Sequence, residues 1–235
     1  LATYNYFLGN GPEETATMSQ ISVIVIGTHN RRKAREIGSL LDLSGIAWKC
    51  LADFPQLPQV VEDGASFAEN ARKKALGYAQ ALGQWVLAED SGLEVEALQG
   101  QPGIHSARFA GPNATDRENI ALLLEKLRGL PPEKRWARFV CCMVLADPRG
   151  TVRAEVQEFC RGRITEEPRG ESGFGYDPVF EVVEYHRTFA ELGPAVKNLI
   201  SHRGRALRQI LPQVRRSLGQ QQARVHSGGE GCHPG

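Results

Sequence analysis

The chain has 235 residues, of which 41% are aliphatic or aromatic and 23% charged, with a formal net charge of +1. This is ordinary globular usage, enough for one sizeable core, and it excludes fibrous, disordered and membrane-embedded classes. The near-zero charge argues against a nucleic-acid partner, because a duplex-binding surface needs a basic excess to compete for phosphates.

The longest apolar runs, Val23 to Ile26 and Phe139 to Ala146, fall well short of the ~20 residues that cross a bilayer. No secretory signal pattern opens the chain, so a cytoplasmic protein without membrane contact is expected. The five cysteines are odd in number and form no CxxC pair, which reads as reduced thiols filling core rather than a disulfide framework or zinc site. Residues 1–19 read as a disordered extension, with Met18 as the true start. Residues 219–235, rich in Gln, Gly, His and Ser, read as a disordered tail. One domain, 20–218, remains.

Along that domain, Ser22 to Gly27 predicts a strand, and Arg32 to Leu43 a helix with Ile37, Leu40 and Leu41 on one face. Ala47 to Leu51 is a second strand. Ser66 to Leu82 is a helix with Phe67, Ala71, Ala75, Tyr78 and Leu82 as its stripe and Gly83 as its cap. Trp85 to Ala88 predicts a third strand that enters a turn at Glu89-Asp90-Ser91-Gly92. Thr115 to Leu127 is a helix with Asp116 or Thr115 to cap it. Asp147-Pro148-Arg149-Gly150 predicts a hairpin between Arg138 to Ala146 and Thr151 to Arg163. A Gly-rich loop, Gly170 to Asp177, precedes a strand at Val179 to Val182, and helices are expected around Ala195 to Ile200 and His202 to Leu218. The pattern is α/β with a mixed sheet.

Thr28-His29-Asn30-Arg31-Arg32-Lys33 lies between a strand and a helix start, where free N–H groups and the helix dipole favour an anion. Lys33 in that first turn is unfavourable for an isolated helix, which points to an external anion; an ordinary Asn-capped helix with a surface lysine is the other reading. Glu89 and Asp90 are hard oxygen donors suited to Mg²⁺, and Glu62-Asp63 offer a further acid. Solvated turn acids are the alternative there. Lys74 falls on the apolar stripe, so it either pairs with an acid, reaches a phosphate, or snorkels at the edge. Gly173-Phe174-Gly175-Tyr176-Asp177-Pro178 reads as a base-stacking platform ending on an acid that accepts from a base or ribose. Lys197, Asn198, His202 (protonated) and Arg203 offer donors to purine carbonyls, or else form a solvated basic helix end.

Together, Thr28-x-Asn30-x-x-Lys33, Phe67-x-Glu69-Asn70-Ala71, Glu89-Asp90-Ser91-Gly92-Leu93, Ser106-Ala107-Arg108, the Gly173 to Pro178 segment and Ser201-His202-Arg203-Gly204 resemble the inosine triphosphate pyrophosphatase, or Ham1-like, family over roughly 22–211. The resemblance implies an elongated α/β fold with a mixed sheet and central cleft, usually a homodimer. It implies Mg²⁺-dependent hydrolysis of XTP, ITP and dITP to monophosphate and pyrophosphate, which cleanses the nucleotide pool. It further implies that Thr28, His29, Asn30, Arg31, Arg32 and Lys33 bind phosphates, that Glu62 and Asp90 hold the metal, and that Asp90 accepts the proton. By the same resemblance Lys74 and Ser91 contact the triphosphate, while Phe174, Gly175, Tyr176, Asp177, Lys197, His202 and Arg203 surround base and ribose. The sequence departs from the family pattern at Glu89, where bacterial members often carry Asp, and at His29, where Gly is common. A pyrophosphatase for other modified nucleotides and a non-catalytic nucleotide sensor are the rival readings.

Overall fold

The computed structural model describes residues 23–227, with side chains through residue 219; the expected extension 1–19 and the far end of the expected tail, 228–235, lie outside the described residues. A seven-stranded sheet runs in the order β2-β1-β3-β4-β5-β6-β7. Its strands are β1 (Val23–Ile26), β2 (Ala47–Cys50), β3 (Trp85–Val95), β4 (Trp136–Ala146), β5 (Val152–Ile164), β6 (Phe180–Val182) and β7 (Arg187–Thr188). The helices are α1 (Arg31–Asp42), α2 (Phe67–Leu82), α3 (Asp116–Lys126), α4 (Phe189–Ile200) and α5 (His202–Ser227). β1 pairs parallel with β2 and β3, the two connections being helical crossovers, and every later pairing is antiparallel. The mixed sheet expected from the sequence is therefore present.

Side chains of β3 alternate between two packed faces, as the two-residue strand period requires. Leu87 joins a cluster with Ile37 and Leu41 of α1 and Leu207 and Ile210 of α5. Val86 and Ala88 join the opposite cluster with Ala71, Ala75 and Tyr78 of α2. A third cluster around Leu93, Phe139, Phe180 and Phe189 fills the other end of the sheet.

The structure corrects three expectations. β3 does not turn at Glu89: it continues to Val95, and residues 89 to 92 pair with Met143 to Val140 of β4. Strand alternation then sends Glu89 and Asp90 to opposite faces, so they are not adjacent acids at a turn. α4 starts at Phe189, capped by Thr188 with Glu191, and bends at Gly193 (φ 76°) before Pro194; the Gly-Pro breaker hid its first turn. α5 continues through Ser227, so the tail expected to be disordered from residue 219 begins as helix.

β1 pairs with β3 only from Trp85 to Leu87. Beyond that point β1 has ended, Gly27 N–H donates to Leu87 O, and the β3 edge from Glu89 to Gly92 faces the turn that starts α1. Ligands of open α/β sheets bind at such strand ends.

Candidate active site

The α1 start forms because Asn30, in extended conformation, accepts from the backbone N–H groups of Arg32 and Lys33. Thr28 is buried and its Oγ1 accepts from Asn30 N. His29 is exposed, with Nε2 3.1 Å from the Tyr78 hydroxyl, and Arg31 is exposed. Lys33 lies 2.9 Å from Glu89 Oε1, so the anion inferred for that lysine is already supplied from within the chain. Glu89 Oε1 makes no hydrogen bond of good geometry, yet the ion pair with Lys33 satisfies it electrostatically. Burial penalises the Glu89 carboxylate, but Lys33, Arg203 and Lys74 outweigh it and hold its pKa below the usual carboxylate range.

On the opposite face of β3, Lys74 Nζ donates to Asp90 Oδ1 (3.0 Å) and to Glu62 Oε2 (2.7 Å). The buried lysine thus has the acidic partner its place on the apolar stripe requires. Asn70 Nδ2 donates to Asp90 Oδ2 while its Oδ1 accepts from Gly64 N, which ties the Glu62 loop to the same helix. Burial raises the Asp90 pKa; Lys74 and Lys33 restrain the rise and Glu89 adds to it. Two hard oxygen donors meeting at one ammonium fit a cation that takes one or two carboxylates and leaves its other positions to water and phosphate. They do not form an all-protein cage, since no group of three or more His, Cys, Asp or Glu suited to a metal occurs among the described residues.

A cleft with about 620 Å³ of free space, including its open mouth, joins Asn30 and Lys33 at one end to Phe174, Lys197, His202 and Arg203 at the other. Ser91 also lines the cleft and accepts from Arg203 Nη2 at 2.8 Å. Lys197 donates to Asp177 Oδ2 (2.5 Å) and Glu36 Oε1 (2.7 Å), and Arg203 Nη1 donates to Glu36 Oε2. Phe174 has three cations near its ring centroid: Lys197 Nζ at 4.4 Å, Arg32 Cζ at 4.9 Å and Arg203 Cζ at 5.7 Å.

The base end differs from expectation in three residues. Tyr176 is buried, its hydroxyl donating to Ser106 O, so Phe174 rather than a pair of aromatics offers an accessible ring. Asp177 is buried and already accepts from Phe174 N and Lys197, while Gly175 N donates to Asp116. His202 is stacked on Phe139 (4.8 Å, 11°), and burial, with Arg203 and Lys197 beside it, pushes its pKa well below the ordinary 6.5. Burial therefore disfavours the protonated donor expected from the sequence. Among the described residues His202 Nδ1 and Arg203 Nε have no hydrogen-bond partner, and both residues line the cleft.

The Ham1 family profile matches residues 24–213. The chain belongs to the Ham1 family. It is 47% identical over 199 residues to the dITP/XTP pyrophosphatase of Rhodopirellula baltica, covering 85% of this chain and 96% of that protein. It is 50% identical over 196 residues to the dITP/XTP pyrophosphatase of Geobacillus kaustophilus, covering 83% and 96%. The solved structure of a HAM1 protein from Coxiella burnetii superposes with a TM-score of 0.73 at 41% identity, covering 80% of this chain and 96% of that one.

The sequence reading of this Ham1 chain missed Glu36, which holds both Lys197 and Arg203, gave no role to Asn70, and offered Asp116 only as an alternative cap of α3, where Thr115 is the cap. Glu36 follows Lys33 by three positions and so shares its helix face, a signal present in the sequence. Asp116 carried none, because its partners Arg32 and Gly175 are distant in the chain.

Proposed function

We propose that this chain is a Mg²⁺-dependent dITP/XTP pyrophosphatase that also takes ITP and releases the nucleoside monophosphate and pyrophosphate. The observation that carries the reading is the single cleft joining an N-capped helix start with Lys33 to Phe174, Lys197, His202 and Arg203. One end suits phosphates and the other a purine bearing carbonyl groups.

Asn30 and Lys33 at the α1 start bind the phosphate chain, and Ser91 and Lys74 lie on the two faces of the strand that it crosses. Phe174 stacks the base, and Lys197 and Arg203, fixed by Glu36 and Asp177, donate to its carbonyls. Glu62 and Asp90 would hold Mg²⁺, which when bound supplies positive charge to the phosphates and polarises water. Asp90 accepts the proton of the water whose oxygen bonds to the α-phosphorus as the bond to the bridging oxygen breaks. Burial makes Asp90 a stronger base than a free aspartate, and Lys74 keeps it ionised. Lys33 stabilises the charge that gathers on pyrophosphate. The resemblance also carries a homodimer, which sedimentation of the purified chain tests.

The deciding experiment measures pyrophosphate release from dITP, XTP, ITP, ATP, GTP and modified pyrimidine triphosphates, each with and without Mg²⁺. Selective Mg²⁺-dependent release from the first three supports the reading; a preference for modified pyrimidines, or tight binding without release, overturns it.

A further inference from the structure

Of the three cations around Phe174, two are fixed. Lys197 and Arg203 have side chains only 4% and 3% exposed, tied to Glu36 and to Asp177 or Ser91. The third, Arg32, has a side chain 50% exposed, and its Nη1 donates to Asp116 Oδ2 at 2.7 Å. The same Asp116 oxygen accepts from Gly175 N at 2.9 Å. One carboxylate at the start of α3 thus links the first turn of α1 to the loop that carries Phe174, across the mouth of the cleft. The guanidinium it holds lies over the ring that a purine would stack on.

We propose that Arg32 and Asp116 form a clasp that covers Phe174 and must open for the base to stack. This rests on the pyrophosphatase reading of the same cleft. Lys197 and Arg203 are buried in place, so Arg32 is the group a base displaces. Its ion pair is exposed and therefore weak, which makes it a contact that substrate can exchange. Asp116 is a positioning residue in this scheme: it sets how often the stacking face is free and takes no part in the chemistry.

A double-mutant cycle tests the clasp, using calorimetric binding of inosine 5′-[α,β-imido]triphosphate, with ITP turnover of the unmodified chain measured alongside. Asp116→Asn removes the charge while leaving an oxygen for Gly175 N–H, and the Thr115–Glu118 capping box that starts α3 does not involve it. Because a clasped fraction of the protein is unavailable to ligand, Asp116→Asn is expected to tighten binding, by up to about five-fold for an exposed pair. In an Arg32→Gln background the same substitution is expected to change nothing. Weaker or unchanged binding in the otherwise unmodified chain, or an equal effect in both backgrounds, overturns the clasp. Absence of ITP turnover by the unmodified chain overturns instead the pyrophosphatase reading on which the clasp rests.

Discussion

Lys74 Nζ lies 3.0 Å from Asp90 Oδ1, an ammonium and a carboxylate paired inside the protein on the α2 face of β3. The pair explains why a helix stripe tolerates a lysine and a strand core an aspartate: each would be prohibitive alone, whereas together, with Asn70 on the second carboxylate oxygen, they are satisfied. It also fixes the carboxylate at the β3 edge that β1 leaves open.

Asp90→Asn keeps the shape and an acceptor for Lys74 but removes the base. Turnover of ITP is expected to fall by about 10²- to 10⁴-fold, the usual contribution of a positioned general base. Binding of the α,β-imido analogue should change far less. Steady-state kinetics beside calorimetry separate the two, and a variant that releases pyrophosphate at the normal rate sinks the assignment of Asp90.

Removal of Mg²⁺ should abolish turnover without unfolding the chain. Glu62 and Asp90 are both already ion-paired with the Lys74 ammonium, which holds them in place from within the chain. Thermal unfolding with EDTA is expected to match that of the untreated protein, while pyrophosphate release stops. A large drop in Tm on chelation would mean that the metal holds the fold together, contrary to this expectation.

Much of this arrangement was legible in the sequence because local physics dictated it. Asn30 and Thr115 cap helices as their residue types suggest, Gly83 closes α2 in the left-handed region, and helical spacing puts Lys74 on the buried stripe, where an acid partner was one of the readings. What escaped depends on contacts between distant segments. Whether Glu89-Asp90-Ser91-Gly92 turns or continues as strand is decided by β4, which supplies the ladder through Gly92. The side-by-side placement of the two acids suggested one site, but strand alternation separates them, giving Glu89 to Lys33 and Asp90 to Lys74. The charge state of His202 likewise depends on Phe139 and on a burial that its own helix does not announce.

That buried imidazole makes stability depend on pH. The folded-state pKa of His202 lies below its ordinary value, so on acidification the unfolded chain binds a proton that the folded chain refuses. Its contribution is complete above about pH 6.5 and is lost as pH falls below it. Compared with His202→Gln, the unmodified chain is expected to lose about 1 kcal/mol between roughly pH 6.5 and 5.5, measured by urea unfolding. Parallel pH dependence in the two proteins would contradict a neutral His202.

Phe174→Ala should affect the base end alone. Loss of a stacking partner worth about 1–3 kcal/mol per base raises KM for ITP by roughly 5- to 150-fold. Inhibition by inorganic tripolyphosphate, which needs only the Asn30 and Lys33 end, should be unchanged. An equal loss for both ligands would mean that Phe174 supports the whole cleft rather than the base.

The loop that presents Phe174 depends on two glycines whose environments differ, and this permits a controlled comparison. Gly173 (φ +79°) has its missing Cβ directed at the Asp177 carboxylate, whereas Gly175 (φ +61°) has nothing within 4 Å. Alanine at either position incurs left-handed strain of about 1–2 kcal/mol. Only Gly173→Ala also pushes on the carboxylate that accepts from Phe174 N and Lys197. Both variants should therefore lose a few degrees of Tm, roughly 2–8 °C for a chain of this size. Gly173→Ala is expected to lose more and to raise KM further, because displacing Asp177 releases the lysine aimed at the base. Equal effects of the two substitutions on KM would show that Asp177 does not position Lys197 for substrate.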